Sequence, residues 1–189
     1  VNLQDKVSLQ NGAKLFVNYC MGCHSLEYAR YNRTAKDLGI PEDIFLDNLV
    51  FDPEVKIGSL MGNAMDKERA KKWFGAAPPD LSLIVKARSG GADYIRSLLL
   101  GYEEAPEDSH LSPGQYYNAY FAGGAIAMAP PLVDDIISYD DGTTASMEQM
   151  AEDVVTFLTW VGDPHMEERK QMGVMVLMYL FIFAVLVYL

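Results

Sequence analysis

Asn18-Tyr19-Cys20-Met21-Gly22-Cys23-His24 decides the reading of this chain. Cys-x-x-Cys-His is the spacing of covalent c-type haem attachment. Two residues between the cysteines let both sulfurs reach the porphyrin vinyl groups, and the adjacent imidazole then comes up beneath the metal. One haem c is therefore expected, bound through Cys20 and Cys23, with His24 as a ligand to its iron. The competing readings are a redox Cys-x-x-Cys or half a zinc site, but the chain has only two cysteines, so no second pair completes a zinc site. The motif uses both, which leaves none for a disulfide and is compatible with the bacterial periplasm or the mitochondrial intermembrane space. Val1 is not an initiator Met and no basic-then-apolar stretch follows it, so a targeting peptide is expected to have been removed.

Upstream of the motif, residues 7–19 read as a helix. Leu9, Ala13, Phe16 and Cys20 are spaced for one face, and Gly12 leaves room for a close neighbour. Far downstream, Ser146 and Gln149 have the spacing of a capping box, and Met147, Met150, Ala151, Val154, Val155 and Leu158 recur at helical intervals until Gly162 and Pro164 end the pattern. These two helices are expected to cross beside the haem motif, with Met147 and Met150 in the core. Residues 93–100 form a further helix candidate after Gly90-Gly91. Residues 67–74 form a short one within a mixed, polar excursion from Arg30 to Pro79, and residues 103–114 are a surface loop. No strand alternation stands out.

Half of the 189 residues are apolar, enough for one sizeable core, and the formal net charge of -11 argues against a nucleic-acid partner. Every charge lies in residues 1–170, whereas 172–189 form an uncharged run of 18 residues. As a helix that run spans about 27 Å, just enough for a bilayer core, and it lacks the polar edge of a buried helix. Residues 1–170 therefore read as a haem domain and 171–189 as a transmembrane anchor. Arg169 and Lys170 before the anchor would place the domain in the cytoplasm by the positive-inside rule. The haem motif demands the opposite side, a conflict that a basic tail beyond Leu189 would remove.

A second protein ligand to the iron would commit it to electron transfer. Besides His24 the chain has ten Met and two His. Met128 stands out in Gly123-Gly124-Ala125-Ile126-Ala127-Met128-Ala129-Pro130-Pro131, with permissive glycines before it and stiff prolines after it. On local chemistry alone His110, His165 or an open position stay available. Acid pairs at Glu103-Glu104, Glu107-Asp108, Asp134-Asp135 and Asp140-Asp141 are either solvated faces or a means of steering a basic partner.

Taken in order, Asn18 to Ser25, Ala77-Pro78-Pro79-Asp80-Leu81-Ser82, Ala87-Arg88-Ser89-Gly90-Gly91-Ala92-Asp93-Tyr94, Ala127 to Leu132, Tyr139-Asp140-Asp141-Gly142-Thr143 and the C-terminal apolar run resemble the cytochrome c1 family over nearly the whole chain. The short stretch from Thr34 to Trp73 is more similar to the bacterial members. The resemblance implies an all-α, class I cytochrome c-like haem domain with long loop insertions, plus one C-terminal transmembrane helix. It implies Met128 opposite His24, and Arg88 and Tyr94 at the haem propionates. The Pro78-Pro79 turn is expected on the His24 side, where a carbonyl accepts the imidazole Nδ1 proton; the alternative is an ordinary loop.

The resemblance further implies a subunit of quinol:cytochrome c reductase that takes single electrons from a Rieske iron-sulfur protein and passes them to a cytochrome c. Cytochrome b, membrane lipid and a dimeric complex complete the implied partners. The implied location is the bacterial inner membrane facing the periplasm, or the mitochondrial inner membrane facing the intermembrane space. An independent membrane-tethered carrier is the alternative, although it would need a flexible linker where the chain has the short, charged stretch 162–171.

Overall fold

The computed structural model describes residues 1–107 and 109–189; Asp108, in one of the acid pairs, lies outside them. Helix α1 spans Lys6–Leu15. Asp5 caps it, its Oδ1 accepting the backbone N–H groups of Val7 and Ser8 at 3.1 Å each. The helix then widens into a π turn, Phe16–Cys20, which the Met21 N–H closes onto the Phe16 carbonyl at 2.9 Å. Strand β1 (Leu26–Arg30) leads into helices α2 (Tyr31–Leu38) and α3 (Glu42–Leu49), then β2 (Leu60–Met61) and α4 (Lys67–Phe74). Beyond these come α5 (Ile84–Ala87), α6 (Gly91–Leu100), β3 (Tyr116–Tyr117), β4 (Ala125–Ile126), α7 (Met147–Gly162) and α8 (Met166–Tyr188).

The chain is mostly helical, as expected, but not purely so. Strands β1 and β2 pair antiparallel, as do β3 and β4. Apart from β1 these strands have two residues each, too short to show a period in sequence.

Helices α1 and α7 cross at Gly12, where a Cβ would lie 2.1 Å from the Asp153 carbonyl oxygen and 2.8 Å from the Phe157 Cβ. Only a residue without a side chain permits that approach. Phe16 and Phe157 meet beside the crossing with ring centroids 5.8 Å apart, and Phe157 stacks on Trp160 at 5.9 Å. Asp153, fully buried here, accepts from Ser8 Oγ at 2.6 Å and Gln149 Nε2 at 3.0 Å. Burial, more than any neighbouring charge, raises its pKa despite those donors.

Three expectations need correction. The segment from Arg30 to Pro79 is no excursion outside the core: Tyr31, Ala35, Leu38, Phe45, Leu49 and Met61 are all buried in it. The capping box forms only its first half, because Ser146 accepts the Gln149 N–H at 3.2 Å while the Gln149 side chain turns to Asp153. Met150 is buried as expected, but Met147, in the first turn of α7, is exposed.

Helix α8 is 23 residues long, about 35 Å, and none of its side chains is buried against the rest of the chain. Its most apolar window has a mean hydropathy of 2.2, so it is long and apolar enough to cross a membrane. Only Asp163, Pro164 and His165 separate it from α7. The buried Asp163 carboxylate accepts Lys86 Nζ from α5 at 2.9 Å and both terminal guanidinium nitrogens, Nη1 and Nη2, of Arg169 from α8. Those donors, Arg169 before Lys86, hold the Asp163 carboxyl far below the usual carboxylate range.

Candidate functional site

The π turn delivers the motif directly into a tight loop. The Cys23 and His24 N–H groups donate to the Cys20 carbonyl at 3.1 and 2.8 Å, so both thiols and the imidazole lie within one turn of chain. Both cysteines are unpaired; Cys23 is exposed, and burial pushes the half-buried Cys20 thiol up to about 12, with the neighbouring Cys23 adding to the effect. Among the described residues no three His, Cys, Asp or Glu side chains converge on a common metal position.

His24 Nδ1 lies 2.7 Å from the Pro79 carbonyl oxygen. A carbonyl can only accept, so Nδ1 carries the proton and Nε2 is left with its lone pair free. Burial lowers the His24 pKa, and the contacts with Pro79 and Asp80 oppose it only in part. The imidazole is thus kept neutral, the form that ligates a metal.

The Pro79 carbonyl is itself held by Asp80. Asp80 Oδ2 accepts Ser25 Oγ at 2.9 Å and the Glu27 N–H at 2.7 Å, while Oδ1 accepts the Ser82 N–H at 2.9 Å. Leu81 N–H adds a bond to the Ser25 carbonyl at 2.9 Å. Burial pushes the Asp80 carboxyl up, but the bonds from Ser82, Glu27 and Ser25 more than offset it, and the pKa ends below its usual value. Loop 77–82 is therefore stapled to the chain on the far side of His24. The only local sequence signal for this role of Asp80 is the Asp-x-Ser turn that follows two prolines.

Met128 follows β4 and is half-buried. Its carbonyl accepts the Tyr102 hydroxyl at 3.0 Å. Asn118, fully buried, donates Nδ2 to the Leu98 carbonyl of α6 at 2.7 Å and its backbone N–H to the Gly124 carbonyl at 2.8 Å. The β3–β4 hairpin thereby hangs from the end of α6, and Tyr102 sets the Met128 backbone. Neither residue carried a sequence signal, because each acts on a distant backbone group. Gly124, at φ 74° and with the Tyr117 ring 2.7 Å from where its Cβ would be, leaves no room for a side chain.

Arg88 and Tyr94 flank the Gly90-Gly91 turn between α5 and α6. Tyr94 is half-buried against the core, whereas Arg88 is exposed and, among the described residues, makes no side-chain hydrogen bond. Hydrogen bonds thus join Cys20, Cys23, His24 and Pro79 into one group. Met128 belongs to a second group with Tyr102, and Arg88 and Tyr94 to a third around one turn.

Residues 60–189 match the model of the Cytochrome C1 family. This chain belongs to the cytochrome c1 family. It is 40% identical over 185 residues to "Cytochrome c1, heme protein, mitochondrial" of Saccharomyces cerevisiae, a match covering 89% of the chain and 60% of that relative. To "Cytochrome c1" of Rhodospirillum rubrum it is 37% identical over 209 residues, covering 93% and 76%. A third relative, named "Cytochrome b-c1 complex catalytic subunit, mitochondrial", from Candida albicans, is 40% identical over 192 residues, covering 93% and 67%. The chain thus spans about 60% of the length of the yeast cytochrome c1 it matches.

Proposed function

We propose that this chain is the electron-transfer subunit of a quinol:cytochrome c reductase, with residues 1–170 a class I cytochrome c-like haem domain and 171–189 a membrane anchor. The observation that carries the reading is the pairing of His24 Nδ1 with the Pro79 carbonyl beside two unpaired cysteines. That donor set fits one covalently bound haem c, with thioethers at Cys20 and Cys23 and His24 Nε2 on the iron. When bound, the haem supplies an iron that takes up and releases one electron at a time.

The chain's own residues orient, shield and tune. Asp80 holds the Pro79 carbonyl, which fixes the imidazole plane and makes it a stronger donor. Tyr102 holds the backbone of Met128, whose thioether would ligate the iron and would favour the ferrous state and a high potential. Arg88 and Tyr94 serve the propionates, with a guanidinium and a phenol as donors to carboxylates.

Family membership supports a Rieske iron-sulfur protein as donor, a cytochrome c as acceptor, cytochrome b beside the anchor and a dimeric assembly. A bacterial inner membrane with the domain in the periplasm is the location we favour. Arg169 and Lys170 have a structural task there, bound to Asp163 and Glu167, so they are not only a topology signal. The three-residue link and the Asp163 clasp favour a fixed subunit over a carrier on a leash.

Absorption and magnetic circular dichroism of the ferric protein, wild type and Met128→Leu, test the reading. A near-infrared thioether-to-iron band that the substitution abolishes is the expected result. Ready binding of carbon monoxide by ferrous wild type overturns it in favour of a sensor or enzyme.

A further inference from the structure

Helix α4 carries exposed large apolar side chains on a basic surface. Its eight residues carry four basic side chains and one acid in a chain of net charge -11. Ala70 is its only buried residue. Lys67 is paired with Glu27 at 3.0 Å, but among the described residues Lys71 and Lys72 have no acidic partner within ion-pair distance. Their place in the last turn suits the helix dipole. The dipole does not explain the next two residues: Trp73 is 67% exposed and Phe74 40%, with rings edge to face and centroids 6.4 Å apart.

The buried side of α4 borders the site, one turn from this patch. Lys67 and Ala70 line a cleft with Cys23 and Pro78, and five residues after Phe74 the chain reaches the Pro79 carbonyl that holds His24. The Met128 group has the opposite charge, since exposed Glu103 and Glu104 directly follow Tyr102. Two charge signs thus flank the two ligand-bearing segments.

We propose that the C-terminal turn of α4, with Lys71, Lys72, Trp73 and Phe74, is a docking surface for an acidic electron-transfer protein. The lysines steer a negative face and the exposed Trp73–Phe74 pair forms the dry centre of the contact. A protein is favoured over a lipid surface because α4 lines the Cys23 cleft through Lys67 and Ala70, one turn before the patch, and electron tunnelling needs such proximity. The inference rests on the electron-transfer reading proposed above.

The test uses the full haem-loaded chain in detergent, with a small acidic c-type cytochrome as probe, a basic one as control, and binding read by biolayer interferometry. The double variant Lys71→Glu/Lys72→Glu is expected to weaken the acidic probe about tenfold at low salt, with the loss vanishing at high salt. Trp73→Ser is expected to weaken it about tenfold at both salts. Affinity for the basic control should not fall in either variant.

Equal affinity of wild type and both variants for the acidic probe overturns the proposal. So does an unchanged protein affinity together with loss of flotation on phosphatidylglycerol vesicles, which assigns the patch to lipid. Should a variant fail to fold, carbodiimide cross-linking of wild type decides: adducts at Lys71 or Lys72 support the proposal, and adducts only elsewhere overturn it. Absence of covalent haem in the pyridine haemochrome spectrum would sink the electron-transfer reading instead, while the binding constants still report on docking.

Discussion

The Cα of Gly12 faces the Asp153 backbone so closely that a methyl group there would sit 2.1 Å from the carbonyl oxygen. Backbone cannot yield as a flexible side chain can, so α1 would have to move off α7. Gly12→Ala is expected to destabilise the domain by about 3 kcal/mol or more. Urea denaturation followed by far-UV circular dichroism measures it, and an unchanged midpoint would mean that the crossing is looser than described.

Removing the Asp80 carboxylate should release the Pro79 carbonyl from His24. Asp80→Ala is expected to cost about 2 kcal/mol of stability through three lost hydrogen bonds. On the proposed ligation, a weaker bond at Nδ1 makes the imidazole a poorer donor to ferric iron. The midpoint potential should therefore rise, as read by redox titration; a fall would show that Asp80 acts by another route.

Asp163 sets a pH dependence. Its folded pKa lies below the unfolded value of about 3.9. The stability it contributes is therefore present at neutral pH and is lost as pH falls below about 4 toward the folded value. Asp163→Asn should melt at a lower temperature than wild type at pH 7, with the gap closing on acidification. A gap that widens toward low pH would refute the assignment.

Asp153 has the opposite sign. Burial raises its folded pKa, so its favourable contribution is present below the unfolded value and is lost as pH rises through the folded one. Asp153→Asn should therefore gain on wild type in thermal melts between pH 4 and pH 8, and parallel curves would contradict it.

Tyr102→Phe removes the hydroxyl that holds the Met128 carbonyl and is expected to cost about 1 kcal/mol. If Met128 is the sixth ligand, the near-infrared band should fade at a lower temperature than in wild type. A band of unchanged thermal stability would assign the hold on Met128 to the hairpin alone.

What the sequence made legible was whatever is periodic or carried by a local signature. Helix α4 has the expected bounds, Gly12 sits at the crossing foreseen for it, and the C-terminal apolar run forms a helix on which nothing packs. Tyr31, Ala35 and Leu38 were spaced as a helix face, but the polar residues between them hid it. Asp80, Tyr102 and Asn118 were not legible as site residues, because the partners that matter lie 20 to 55 residues away, and no local pattern encodes such pairings. The π turn was equally silent: one carbonyl chooses a donor five residues on instead of four, with no change of composition.

That choice has an angular consequence. An α-helix advances about 100° per residue, so the one extra residue in the turn Phe16–Cys20 acts as a spacer measured in degrees. It rotates everything after it about the α1 axis without lengthening the helix by a turn. Val17 stays in the core while Cys20 comes to its edge and Cys23 clears it. Deleting one residue between 16 and 20 would keep the motif intact in sequence yet swing both thiols round the axis, leaving a domain that folds but offers its cysteines in the wrong direction.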